Sequence, residues 1–109
     1  MANDSDAVFG ALADPTRRRV VELLGEGARR AGELAAAAGT SPPVMSRHLR
    51  TLLEAGLVAD ERIPGDARVR VFRLRPEPVH ALQAWLDQLQ AHWNEQLASF
   101  KRHVEEKGS

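Results

Sequence analysis

Between Thr40 and Leu57 the chain reads TSPPVMSRHLRTLLEAGL, and its apolar and polar positions separate cleanly at 100° per residue. Met45, Leu49, Leu52 and Leu53 fall on one narrow face, while Pro43, Val44, Arg47, Arg50, Thr51 and Glu54 look the other way. Thr40 and Ser41 offer hydroxyl caps, Pro42 and Pro43 suit a first helical turn that needs no N–H, and Gly56 supplies a stop, so a helix of about four turns is predicted. Upstream, Asp4 and Ser5 can cap a short helix carrying Val8, Phe9 and Leu12, which ends before Asp14-Pro15. Asp14 caps a second helix with Pro15 at its first position and Val20, Val21, Leu23 and Leu24 inward, closed by Gly25 and Gly27. Residues 30–38 form a third helix with Leu34, Ala35 and Ala38 apolar, closed by Gly39.

After Gly56 the period changes. β-formers flank Pro64-Gly65-Asp66, predicting a hairpin with strands near Leu57 to Ile63 and Arg68 to Leu74, in which Phe72 and Leu74 are buried and Arg68 stands at the tip. Pro76 and Pro78 end the sheet, and a helix follows from about Val79 to Glu106, about 40 Å long at 1.5 Å per residue. Its apolar positions, Leu82, Leu86, Leu89, Trp93, Leu97, Phe100 and Val104, recur at three- and four-residue steps with Trp85 beside them. The preceding body is too small to cover so long a stripe, which predicts association of two copies. The expected architecture is mainly α with a small β-hairpin: a single winged helix-turn-helix domain over residues 1–109. The helix-turn-helix spans 30–56, the wing 57–75, and dimerisation helices 1–13 and 78–106. The interface is expected at Val8, Phe9, Leu12, Leu82, Leu86, Leu89, Trp93, Leu97 and Phe100.

Composition sharpens the functional picture. Fifteen basic and fifteen acidic residues cancel, which taken alone argues against a nucleic-acid binder. The distribution argues for one: residues 16–75 hold twelve arginines and seven acids, net +5, and the negative balance lies outside them. With no cysteine, thiolate metal sites, disulfides and thiol redox switches are excluded. The N-terminus lacks the features of a signal peptide and no apolar run reaches membrane-spanning length, so a cytoplasmic location is expected. No nucleophile–base pair or phosphate-cradling glycine loop is recognisable, and a domain this small lacks room for a catalytic cleft, so no enzyme is expected.

The outward face of the central helix suits DNA. Guanidiniums, small hydroxyls and an apolar Val match guanine edges, phosphates and thymine methyls. Ser41, Pro42, Val44, Ser46 and Arg47 are assigned to the groove, Arg47 as a bidentate guanine contact. His48, Arg50 and Thr51 are placed near phosphates, and Arg68 and Arg70 of the wing along the backbone or in the minor groove. Double-stranded DNA with a palindromic operator is the expected partner. Arg17, Arg18 and Arg19 could touch phosphate or pair with nearby carboxylates such as Asp14 and Glu22. The competing account makes the helix an ordinary solvated surface and the hairpin arginines mere guards of a sheet edge.

Three blocks together resemble the arsenic-repressor (ArsR/SmtB) family of winged-helix regulators. They are Phe9-x-Ala11-Leu12-x-Asp14-Pro15-Thr16-Arg17-Arg18, Gly32-Glu33-Leu34-Ala35, and Ser46-Arg47-His48-Leu49-x-x-Leu52-x-x-Ala55-Gly56-Leu57-Val58. The resemblance, in register from residue 7 to about 104, implies a homodimeric repressor released by a signal. Where thiophilic-metal sensors of the family carry paired cysteines, this chain has Arg30-Ala31-Gly32. Other members bind zinc, cobalt or nickel between the two C-terminal helices, through an Asp-x-His pair from one subunit and a His-x-x-Glu or His-x-x-His pair from the other. Here His92-x-x-Glu95 is present and His80 lies near the right place, but Pro78 stands where the Asp would sit, leaving at most three protein ligands. No cofactor is expected, and the signal is left to an organic ligand near Trp85, Trp93 and the first helix, a partner protein, or the protein's own concentration. A nickel-, zinc- or cobalt-responsive repressor and a winged-helix protein-interaction module are the alternatives.

Overall fold

Helix starts and stops along the first half of the chain follow the capping chemistry. The computed structural model describes residues 4–108, and expectations touching residues 1–3 and 109 lie outside the described residues. Helix α1 (Asp4–Leu12) ends two residues before Asp14, which caps α2 (Pro15–Glu26): the Arg17 N–H donates to Asp14 Oδ2 at 3.0 Å. Helix α3 (Ala31–Ala38) closes on Gly39, whose φ of 67° and ψ of 35° put it in the left-handed region. The Gly39 and Thr40 N–H groups then donate to the carbonyls of Ala36 and Ala35. Ser41 opens α4 (Pro42–Glu54), its Oγ accepting from the Val44 N–H at 3.4 Å.

Strands β2 (Val58–Ile63) and β3 (Asp66–Leu74) form the hairpin, turning at Pro64-Gly65 with Gly65 at φ 92° and a register shift between Arg62 and Ile63. A two-residue strand, β1 (Arg29–Arg30), pairs antiparallel with β3, Arg29 opposite Phe72, giving the order β1-β3-β2. This third strand was not expected. Two residues leave no alternation in a sequence, and β1 exists only because β3 offers its free edge. The strand β3 also begins two residues earlier than expected, because the turn is only Pro64-Gly65.

Leu34, Met45, Leu52 and Leu57 are fully buried and centre a core completed by Val20, Leu23, Leu24, Leu49, Val58 and Phe72, with no buried polar side chain among the described residues. Phe72 is buried as expected, while Leu74 and Leu53 are only partly covered. Val8 requires a correction: expected at a dimer interface, it is 1% exposed, because α1 turns that side toward the chain's own core.

The chain divides into two compact units, one ending at Val79 and one beginning at His80. Helix α5 (Glu77–Gly108) supplies every described residue of the second. Pro78 lies in its first turn, where the missing N–H has no intrahelical partner to lose. No residue of α5 is buried, and Trp85, Leu86, Trp93, Leu97, Phe100 and Val104 are between 41% and 66% exposed.

Candidate nucleic-acid interface

Helix α4 is held by its apolar face and presents the other. Met45, Leu49 and Leu52 are buried, whereas Ser46, Arg47 and Arg50 are exposed along one side. Arg47 and Arg50 have no carboxylate partner among the described residues, so their charge is available to an incoming anion. Thr51 is half-buried and its hydroxyl donates to the Arg47 carbonyl at 3.3 Å. At the N-terminal end Ser41 and Pro42 are exposed and Val44 is partly so.

His48 departs from its expected position. Its side chain is only 17% exposed and turns toward α2, with Nδ1 3.9 Å from Asp14 Oδ2 and 3.3 Å from Arg17 Nη1. It belongs to the contact between α4 and the start of α2 rather than to the outer face, because the helix repeat carries it to the flank where α2 packs. Arg17 completes that contact: its Nε donates to the Ala11 carbonyl at 2.6 Å and its Nη2 to the Gly10 carbonyl at 3.1 Å. Arg18 donates to the Leu12 carbonyl at 2.8 Å, and Arg19 pairs with Glu22 at 3.3 Å. The first two arginines therefore satisfy carbonyls that the end of α1 leaves without intrahelical partners. Asp14 receives the Arg17 backbone N–H, with further help from the positive charge nearby, and its carboxyl is held below the ordinary carboxylate value.

On the wing, Arg68 is 94% exposed and its Nε lies 3.4 Å from Asp66 Oδ1 at the turn. Arg70 is anchored: its Nε donates to Asp60 Oδ2 at 2.7 Å and its guanidinium carbon stands 4.8 Å from the centroid of the Phe72 ring. The Arg70 hydrogen bond holds the Asp60 carboxyl below its usual range. Arg62 lies directly opposite Arg70 across the hairpin and is exposed, a cation that the sequence reading missed. Regular counting outward from the two-residue turn places it opposite Ala67, and only the register shift between Arg62 and Ile63 brings it opposite Arg70.

On α5, His80, His92 and Glu95 are exposed and spread along the helix, His80 and His92 about 18 Å apart at 1.5 Å per residue. One chain cannot bring them to a common ion, and among the described residues no group of three His, Asp or Glu side chains is placed to hold one. No described helix is long and apolar enough to cross a membrane.

Residues 12–61 match a family described as a helix-turn-helix domain. The HTH-type transcriptional regulator Rv2034 of Mycobacterium tuberculosis is 38% identical over 103 residues, covering 94% of this chain and 91% of that one. A crystal structure of an ArsR family transcriptional regulator superposes with a TM-score of 0.75 at 33% identity, over 84% of this chain and 98% of the other. The chain belongs to the ArsR family of transcriptional regulators. As an ArsR-family chain it carries the winged helix-turn-helix in full: α3 and α4 are the two helices, and β2 and β3 the wing. A homodimeric winged helix-turn-helix DNA-binding domain from Mycobacterium bovis superposes at a TM-score of 0.63 and 27% identity, over 85% of this chain and 83% of that domain.

Proposed function

We propose that the protein is a homodimeric, sequence-specific DNA-binding repressor that acts on its own promoter and is released by a signal other than thiol chemistry. The observation that carries this is the outer face of α4, where Arg47 and Arg50 stand exposed without carboxylate partners among the described residues, beside an exposed Arg68 on the wing. Ser41, Pro42, Val44, Ser46 and Arg47 enter the major groove. Arg50 and Thr51 face phosphates, and Arg68, Arg70 and the newly recognised Arg62 follow the backbone. The M. bovis domain it resembles is a homodimer, and the apolar stripe of α5, together with the exposed Phe9 and the partly covered Leu12 of α1, supplies surface for the same arrangement here. Two-fold symmetry then matches a palindromic operator, and a dimer seated on promoter DNA blocks polymerase without further chemistry.

The test is fluorescence anisotropy on duplex from upstream of the protein's own gene, at fixed salt, against random duplex of equal length. Binding that is tighter on the upstream DNA and falls steeply with salt supports the proposal. Equal binding to both duplexes overturns the sequence-specific assignment. Repeating the titration with nickel, zinc or chelator tests the signal, since release by one metal would return it to His80, His92 and Glu95 drawn from two chains.

A further inference from the structure

A cavity of about 340 Å³ opens between α4 and β3, with Ala31 of α3 at its margin. Its floor is apolar, made by the buried Leu49 and Phe72 and the partly covered Leu53. Its rim is polar and cationic, made by Ser46, Arg50 and Arg70, all three exposed. The two cations differ. Arg70 is matched by Asp60 at 2.7 Å and stacks on Phe72, so it is a fixed wall. Arg50 has no carboxylate partner among the described residues and brings uncompensated charge to the rim.

A bare phosphate has no use for the Leu49, Leu53 and Phe72 floor, and a neutral hydrocarbon has none for Arg50. The volume lies at the small end of the range for organic-ligand sites, about 300 to 1,000 Å³. We propose that this cavity binds a small organic monoanion, an aromatic or branched aliphatic carboxylate, with its carboxylate on Arg50 and Ser46 and its apolar body on Leu49, Leu53 and Phe72. The proposal rests on the DNA-binding reading in one respect: the rim residues Ser46, Arg50 and Arg70 are also assigned to DNA, so ligand and operator compete for this rim and the ligand acts as the releasing signal. The site lies wholly within the first unit of the chain and differs from the place near Trp85 and Trp93 where the sequence suggested an organic ligand.

The probe is 2-naphthoate, titrated by calorimetry into the full-length protein, with 2-naphthol as its neutral analogue. Saturable naphthoate binding, with naphthol at least about tenfold weaker, is expected from the loss of a charge-assisted contact. Two variants narrow the cavity without touching an assigned DNA contact, Ala31→Leu and Leu53→Phe. Each should abolish naphthoate binding while keeping the helical circular-dichroism spectrum and operator affinity within about twofold of the parent. Saturating naphthoate should weaken operator binding of the parent about tenfold and leave both variants unaffected. Absence of saturable binding, equal binding of naphthol, or undiminished binding by the folded variants overturns the site. A parent that binds naphthoate and fails on operator DNA with no ligand present overturns the DNA-binding reading instead, and leaves the cavity as a ligand site without that output.

Discussion

Arg47 and Arg17 carry the same charged group into opposite tasks. Arg47 projects from α4 with no carboxylate partner among the described residues, whereas Arg17 is committed to the Ala11 and Gly10 carbonyls and to His48. Replacing Arg47 with Ala should cost about 1 to 3 kcal/mol on operator DNA and blur the preference for operator over random duplex, as measured by anisotropy. Arg68→Ala should weaken binding to every duplex alike and flatten the salt slope by about one, because an exposed wing cation neutralises phosphate without reading a base. Asp14 gives a pH dependence whose sign follows from its lowered pKa. Its carboxylate stabilises the fold above the ordinary value of 3.8, and that contribution is lost as pH falls from there through the lowered folded value. Asp14→Asn keeps a capping side chain and cannot titrate, so its urea midpoint should decline less steeply than the parent's below about pH 4. The outward direction of Arg47 was legible from helical periodicity. The role of Arg17 was not, because the groups that hold it lie on another helix.

At the scale of elements, the turn between α3 and α4 sets the angle at which the outer face of α4 is presented. Gly39 holds a left-handed conformation with nothing within 4 Å of where a Cβ would stand, so any penalty at this position is conformational and not steric crowding by neighbours. Gly39→Ala should lower stability by about 1 to 2 kcal/mol in urea unfolding, and Gly39→Asn by less, since Asn tolerates this region. Equal losses would show that something other than backbone strain operates there. The caps that bound α2, α3 and α4 were legible because Asp14, Gly39 and Ser41 act within three residues of themselves. Strand β1 was not legible, since Arg29 and Arg30 become a strand only by meeting Val71 and Phe72 some forty residues away.

For the whole molecule the decisive feature is α5, 32 residues with none buried and a stripe of large apolar side chains. Leu97 and Phe100, 65% and 66% exposed, are its most accessible large apolar positions. Leu97→Glu combined with Phe100→Glu should shift the protein from dimer to monomer in sedimentation velocity, because four carboxylates would then meet across a symmetric apolar interface. Operator affinity should fall at the same time, since half-sites bound singly lose the gain of joint attachment. A dimer that survives both substitutions would place the interface elsewhere. The α5 stripe was visible as a three- and four-residue repeat, whereas the loss of Val8 from the interface needed the packing of α1 on its own chain.

Local rules were therefore sufficient for much of this protein. Helical and strand periods, proline and glycine punctuation, and side-chain caps act over a few residues, so the order of elements, the outward face of α4 and the tip position of Arg68 could all be read from the amino acids alone. Tertiary structure decided whatever depends on which distant groups meet. It turned His48 toward Asp14 and Arg17, recruited Arg29 and Arg30 into the sheet, and tied Arg70 to Asp60. It also brought Leu49, Leu53 and Phe72 beneath Arg50 to form a cavity. Such pairings depend on how α4 and the sheet pack in space, and a one-dimensional pattern holds no record of that geometry.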